Sequence, residues 1–316
     1  MRIPLPEGLK SRIKSVIGRF EAQRRAAELE RSEPHVGRSE LVTGLRGMGV
    51  EDGDVLFVHS SLKSLGFVIG GPESVIAALQ EAVGPKGTLL LPTYYLPGGT
   101  ILATCQMSGY VFDKRVHGTN MGALPAAFLA VPGVERSIHP THSVSALGHH
   151  ARWLTAAHHR APSVFGDGSP WQRFATLPRA KVLGLGISMG PVTFYHLLED
   201  EMGAGFPLQV WAETFDMPCM DESGEPCRVP VRAYQPELAA RRIDTKGRDD
   251  LRAWFSRSFE AAGLKRNGQV GQARSWVIPA DGFLAHLRAL AVGGVTIYAT
   301  PEELARWEHA TAGEPS

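Results

Sequence analysis

The pattern that most constrains the fold is a series of short apolar runs separated by segments with helical spacing. The runs lie at 55–58, 87–93 and 182–185, and each is bounded by glycine or polar residues. Such runs suit strands that are buried on both faces. Helical segments are indicated from Ser39 onward and over 73–83, where apolar residues recur three and four apart. The alternation predicts an α/β fold with a mixed, largely parallel sheet flanked by helices.

The run at 182–185 leads into a glycine-rich turn and a predicted helix with a candidate catalytic pair. Pro191 suits the first turn of that helix. His196 and Glu199 are three apart, so both project from one helix face. A carboxylate beside an imidazole raises its basicity and fixes its orientation, as a general base requires. The same spacing is found in metal-binding pairs and in ordinary surface pairs, and the glycines also suit a dinucleotide loop.

Composition excludes several classes of partner. The 316 residues are 43% hydrophobic, enough for a sizeable core, and the formal net charge of +1 provides no electrostatic footprint for nucleic acid or a membrane. The three cysteines are too few and too scattered for a disulfide framework or a zinc ribbon. We therefore expect a cytoplasmic protein with no nucleic-acid or membrane partner.

The N-terminal segment is predicted to lie outside the main core. Residues 10–31 are rich in Lys, Arg, Glu and Ala, with Ile13, Ile17 and Phe20 at helical spacing. This pattern indicates an amphipathic helix that could serve as the arm of a homodimer. The chain is thus divided into a helical extension over 1–37 and a main domain over 38–312.

Two further segments place ligand-binding groups at strand or helix ends. His59, Ser60, Ser61, Leu62 and Lys63 follow the first apolar run, where open α/β sheets present ligand groups. After Gly66, the pair Gly70 and Gly71 precedes a helix and can offer backbone N–H groups to a phosphate.

The segment 134–148 is dense in His, Ser and Arg. Arg136 could clamp a phosphate. His139 and His142 could bind a metal, although Pro140 breaks any helix between them, or they could be hydrogen-bonded histidines of an ordinary loop. Asp167 lies in a loop before a helix with Ser169 as the predicted N-cap, and its carboxylate could face the site or stabilise the turn.

Taken together, these motifs resemble the aminoglycoside 3-N-acetyltransferase family over about residues 39–290. The matching elements, in chain order, are the segment from His59 to Lys63 with Gly66, Gly70 and Gly71, the strand end Leu91-Pro92-Thr93, Phe112-Asp113, Met121-Gly122, Arg136-Ser137-x-His139-Pro140-x-x-Ser143, Gly166-Asp167-Gly168-Ser169-Pro170, Thr193-x-x-His196-x-x-Glu199 and Gly268-x-Val270-Gly271-x-Ala273. Several ordered motifs are far more specific than any one of them.

The resemblance implies transfer of an acetyl group from acetyl-CoA to an amine, without a metal. By the family pattern, coenzyme A would contact His59–Lys63, Gly66, Gly70, Gly71 and the loop with Arg136, Ser137, His139 and Ser143. His196 would deprotonate the amine, with Glu199 or Asp167 orienting it. The acceptor would contact Tyr94, Tyr95, Asp113, Asp200 and Asp216.

The identity of the acceptor is left open by the sequence. Residues 94–111 contain no acidic residue, and 228–248 are rich in arginine, whereas a substrate with several ammonium groups needs several carboxylates nearby. An aminoglycoside-type antibiotic and a biosynthetic, non-aminoglycoside amine are the two main alternatives. A metal-dependent hydrolase using His139, His142, His196 and Glu199, and a coenzyme A-binding protein without activity, are less favoured.

Overall fold

A seven-stranded mixed sheet organises the protein. The computed structural model describes residues 35–312 together with Arg24 and Arg31. Apart from those two arginines, the helix predicted over 10–31 lies outside the described residues, so the division at residue 37 stays a prediction. The strands, in chain order, are β1 (Val55–Ser60), β2 (Thr88–Pro92), β3 (Glu135–Arg136), β4 (Val144–Gly148), β5 (Ala180–Leu185), β8 (Arg266–Val270) and β9 (Ala273–Pro279), with β6 (Trp211–Met220) and β7 (Pro226–Tyr234) forming a separate two-stranded sheet.

Parallel pairing is confined to the centre of the large sheet. The strand order is β3-β4-β2-β1-β5-β9-β8. Strand β1 pairs in parallel with both β2 and β5, whereas the four other neighbouring pairs are antiparallel. The expected mixed sheet is confirmed, but it is not largely parallel. Its three central strands end at the same edge, where ligand sites form in open α/β sheets.

Helices cover both faces of the sheet. They are α1 (Arg38–Gly47), α2 (Gly71–Val83), α3 (Ile101–Cys105), α4 (Ala123–Leu129), α5 (Ala151–Thr155), α6 (Pro170–Thr176), α7 (Leu197–Met202), α8 (Pro236–Arg241), α9 (Asp249–Ala261), α10 (Ala280–Val292) and α11 (Pro301–Ala312). The Ser169 hydroxyl accepts a hydrogen bond from the Gln172 N–H at 3.2 Å, so the predicted cap of α6 is confirmed.

Successive residues of β1 supply two separate apolar cores. Leu56 and Val58 pack in a cluster with residues of α1, α2 and α4, whereas Val55 and Phe57 pack in a second cluster with residues of α6, α9 and α10. This division follows from the alternation of side chains along a strand. It also explains why the strand is apolar at four successive positions, 55–58, rather than at every second one.

The segment after β5 differs in detail from its prediction. Thr193–His196 form one turn of 3₁₀ helix that continues directly into α7, and Pro191 lies two residues before that turn. The assignment of Pro191 to the first helical turn is therefore wrong. His196 and Glu199 nevertheless remain one turn apart and in contact.

Candidate active site

A cavity of about 300 Å³ opens at the edge of the sheet where β1, β2 and β5 end. Its lining comes from these strand ends and from the loops above them, and it consists of Val58, His59, Ser60, Pro92, Tyr94, Leu96, Ile101, Met121, Pro125, His142, Ile187, Gly190, Pro191, Val192, Thr193, Tyr195, His196, Tyr234, Arg242, Ile243 and Asp244. Most of these side chains are apolar or aromatic. Such a lining, with a few polar groups that converge on one point, is typical of a small-molecule site.

The predicted pair His196 and Glu199 is formed at this cavity. The Nδ1 atom of His196 lies 2.9 Å from Oε1 of Glu199, and both side chains are buried. The hydroxyl of Tyr298 donates to the same carboxylate oxygen at 2.6 Å. The rings of Phe165 and Tyr234 lie 5.4 and 5.2 Å from the imidazole, centre to centre. The imidazole is therefore held on several sides by packing and hydrogen bonding.

This arrangement favours one tautomer of His196. A carboxylate can only accept, so Nδ1 carries the proton that forms the hydrogen bond to Glu199. The Nε2 atom is then left with a lone pair that can accept a proton. Because burial raises the pKa of Tyr298 well above its usual value, its hydroxyl stays protonated and remains a donor to Glu199. The three residues thus form a chain from a buried phenol to an imidazole at the cavity wall.

His59 contacts the 3₁₀ turn that contains His196. Its Nε2 accepts a hydrogen bond from the Thr193 N–H at 3.0 Å and lies 3.1 Å from the Thr193 hydroxyl. Burial lowers the pKa of His59 to about 3. Since the ring is neutral near pH 7, His59 positions Thr193 at the cavity and provides no positive charge for a phosphate.

The remaining residues expected to hold coenzyme A do not all reach the cavity. Ser60 lines it, Ser61 and Leu62 are half-buried just beyond it, and Lys63 is exposed. Gly70 and Gly71 have φ angles of 79° and 61°, which favour glycine, but the Gly71 N–H already donates to the Val68 carbonyl at 2.9 Å.

The contacts of Arg136 within the protein argue against the expected contact with a phosphate. Its guanidinium donates to the carbonyls of Thr93 and Gly118 at 2.7 and 2.8 Å, to the His117 carbonyl and to the Ser143 hydroxyl. The side chain is buried, and burial lowers its pKa to about 10. Arg136 therefore joins two other segments through their backbone carbonyls, and these hydrogen bonds use the donors that a phosphate would need.

Ser137, His139 and Ser143 are likewise buried in this loop and do not line the cavity. Ser137 Oγ lies 3.1 Å from Nδ1 of His158, and Nδ1 of His139 accepts from the His142 N–H at 3.0 Å. The alternative of a loop built from hydrogen-bonded histidines describes this segment. Burial lowers the pKa of His139 and His142 well below the usual value, so both are neutral.

The predicted acidic residues fall into two groups. Glu199 contacts His196, whereas Asp167 is exposed, so Glu199 is the carboxylate that orients the imidazole. Asp113, Asp200 and Asp216 form ion pairs with Arg115, Arg232 and Arg228 and do not line the cavity.

Of the two predicted tyrosines, Tyr94 lines the cavity. Tyr95 does not, and its ring lies 4.7 Å from that of His117.

Three site residues were missed by the sequence analysis. Tyr298 is separated from Glu199 by 99 residues, and no local pattern marks it. Arg242 and Asp244 line the cavity and form a bidentate pair, with N–O distances of 2.6 and 2.8 Å. Burial alone would raise the pKa of Asp244, but the hydrogen bonds and charge of Arg242 outweigh burial and lower it. The Arg-x-Asp spacing within the arginine-rich segment was the available signal.

The metal-ligand interpretation finds no support in the part of the chain that the structure describes. No group of three or more His, Cys, Asp or Glu there could hold a metal ion. Across the same residues, no helix is both long and apolar enough to cross a membrane.

Comparisons with known proteins agree with the motifs. The family model described as aminoglycoside 3-N-acetyltransferase matches residues 57–291. Aminoglycoside N(3)-acetyltransferase III of a Salmonella species is 32% identical over 254 residues, which are 77% of this chain and 87% of the relative.

Two solved structures share the fold. The crystal structure of aminoglycoside acetyltransferase AAC(3)-Xa has a TM-score of 0.71 and 30% identity, covering 85% of this chain and 98% of that one. The structure described as AAC-IIIb binary with CoASH has a TM-score of 0.66 and 25% identity, covering 90% of this chain and all of that one.

Proposed function

The chain belongs to the aminoglycoside 3-N-acetyltransferase family, and we propose that it transfers the acetyl group of acetyl-CoA to an amino group of a small-molecule acceptor, an aminoglycoside-type antibiotic or a related amino compound. The observation that carries this proposal is the His196–Glu199 pair at the wall of the cavity. The relatives are named for N-acetylation of aminoglycosides, and one neighbouring structure holds coenzyme A.

In the proposed reaction, His196 acts on the acceptor. An amine attacks a carbonyl through its lone pair, and it must lose a proton as the new C–N bond forms. Nε2 of His196 takes that proton, and the Glu199 carboxylate stabilises the resulting imidazolium through Nδ1. The proton is then passed to the thiolate that leaves when the C–S bond breaks. The donor supplies the activated thioester, and no covalent acyl-enzyme is required.

The cavity lining suits the acetyl end of the donor. Val58, Pro92 and Ile187 provide apolar walls at the strand ends, next to His59 and Ser60. We propose that the donor continues along Ser61, Leu62 and Lys63, where the exposed lysine can approach a phosphate. Gly66, Gly70 and Gly71 stay in this proposal as backbone contacts. The cytoplasmic location and the homodimer stay predictions.

A thiol-release assay tests the proposed function directly. The protein is incubated with acetyl-CoA and a panel of aminoglycosides and simpler primary amines, and mass spectrometry follows both acceptor and protein. We expect thiol release only with an acceptor, together with acceptor that has gained one acetyl group. Release of thiol without any acetylated amine, or an acetylated protein that accumulates before acceptor is added, would contradict the proposal.

A further inference from the structure

The charges that line the cavity cancel one another. Among the cavity residues that the structure describes, Arg242 is the sole Lys or Arg and Asp244 the sole acidic residue. Their bidentate hydrogen bonds of 2.6 and 2.8 Å hold the two charges together. His59 and His142 also line the cavity, and burial lowers the pKa of both, so they stay neutral. A cationic acceptor therefore meets a wall with no net charge.

Two acidic residues next to Glu199 on the chain are also already paired. Asp200 follows Glu199 on the chain, and it accepts hydrogen bonds from Arg232 and from the Phe165 N–H. Glu201 lies 2.6 Å from Arg288. Breaking such a pair to bind an ammonium group exchanges one charge interaction for another and leaves the arginine without its partner.

The part of the cavity wall that is formed by the segment after β2 is apolar. Leu96, Ile101 and Met121 line the cavity from the segment 94–122, whose first eighteen residues contain no acidic residue. Tyr94 and Tyr234 add aromatic surface, and the guanidinium of Arg242 lies 4.8 Å from the centre of the Tyr234 ring. Transfer of several ammonium groups from water to such walls is unfavourable, whereas burial of an apolar body there is favourable.

Resting on the proposed acetyl transfer, we propose that the preferred acceptor is an amine with a single amino group on an apolar or aromatic body, and not a polycation. The amino group lies at His196, and the body lies against Leu96, Ile101 and Met121. The ion pair between Arg242 and Asp244 stays intact. Those of its polar atoms that face the cavity hydrogen-bond to a polar substituent of the acceptor.

The test compares two acceptors with the wild-type enzyme. The probes are 2-phenylethylamine, with one amino group on an aromatic body, and kanamycin, with several amino groups on sugar rings. We expect kcat/KM for 2-phenylethylamine to exceed that for kanamycin by about tenfold or more, which corresponds to the loss of about one favourable charge interaction. A kcat/KM for kanamycin that equals or exceeds that for 2-phenylethylamine overturns the acceptor inference while it upholds acetyl transfer. Failure to acetylate any amine overturns the proposed function itself.

Two variants test whether the pairing of charges at the cavity explains this preference. Arg242→Gln leaves the Asp244 carboxylate unpaired at the cavity, so we expect the KM for kanamycin to fall about tenfold relative to that for 2-phenylethylamine. Arg228→Gln breaks the exposed pair with Asp216, which does not line the cavity, and serves as the matched control with no change. An Arg242→Gln enzyme that folds but shows no relative gain for kanamycin would contradict the reasoning. The comparison of wild-type acceptors stands even if that variant fails to fold.

Discussion

The hydroxyl of Tyr298 should hold Glu199 in the place from which it positions His196 as a base. Tyr298→Phe removes the donor that lies 2.6 Å from Oε1 of Glu199, the same oxygen that accepts from His196. A hydrogen bond to a charged group contributes about 1.5–3 kcal/mol, and about 1.4 kcal/mol corresponds to a factor of ten in rate. His196 is positioned through this carboxylate, so kcat/KM for the acceptor should fall by about tenfold to a hundredfold.

The assay is steady-state kinetics with the acceptor varied at saturating acetyl-CoA. We expect kcat/KM to fall by about tenfold to a hundredfold while the Kd for acetyl-CoA stays unchanged. Tyr110→Phe is the matched control, because the Tyr110 hydroxyl bonds to the Pro140 carbonyl at 2.9 Å and does not contact the pair. A folded Tyr298→Phe enzyme with an unchanged kcat/KM would refute the positioning role, even if its stability were reduced.

Three other predictions concern stability. Arg136→Ala should lower the free energy of unfolding by about 2–4 kcal/mol, because buried carbonyls lose their hydrogen-bond donors, and it should leave the KM for acetyl-CoA unchanged. Arg115→Ala, which breaks an exposed ion pair, is the control. A raised KM for acetyl-CoA with unchanged stability would contradict this prediction. Burial lowers the pKa of His158 to about 3, so its contribution to stability is complete above its unfolded pKa near 6.5 and is lost as the pH falls toward 3. His158→Gln should reduce the pH dependence of urea unfolding between these values by about 1.4 kcal/mol per pH unit, and an unchanged slope would count against it. Ser169→Ala should cost about 1 kcal/mol through loss of the α6 cap, measured as a lower Tm at unchanged kcat, and an unaltered Tm would show that the cap contributes little.

Elements whose signal lies within a few residues could be predicted from the sequence. The apolar run at 55–58 marks β1, because a strand covered by helices on both faces is apolar at every position. His196 and Glu199 meet because one helical turn separates them, and this geometry survives the change from α to 3₁₀ helix at Thr193–His196. Local spacing therefore identified the candidate catalytic pair.

Features that depend on distant segments could not be predicted. Tyr298 reaches Glu199 only through the packing of the chain around α10, and it lies beyond the residues that the family model matches. The partners of Arg136 are backbone carbonyls, and no side-chain pattern in the sequence encodes such partners. For this reason the sequence analysis assigned Arg136 to a phosphate.

The β6–β7 sheet was also missed. Its strands mix buried and exposed positions and include Pro218 and several charged residues, so they lack the uniform apolar run that marks the central strands.

The central claim is that His196 deprotonates the amine, and one variant tests it most directly. His196→Ala should lower the rate of thiol release with the preferred acceptor by at least about 10²-fold, while the Kd for acetyl-CoA measured by calorimetry stays unchanged. His149→Ala, which removes an exposed imidazole, is the control and should retain full activity. An active His196→Ala enzyme with an unaltered pH profile would contradict the account.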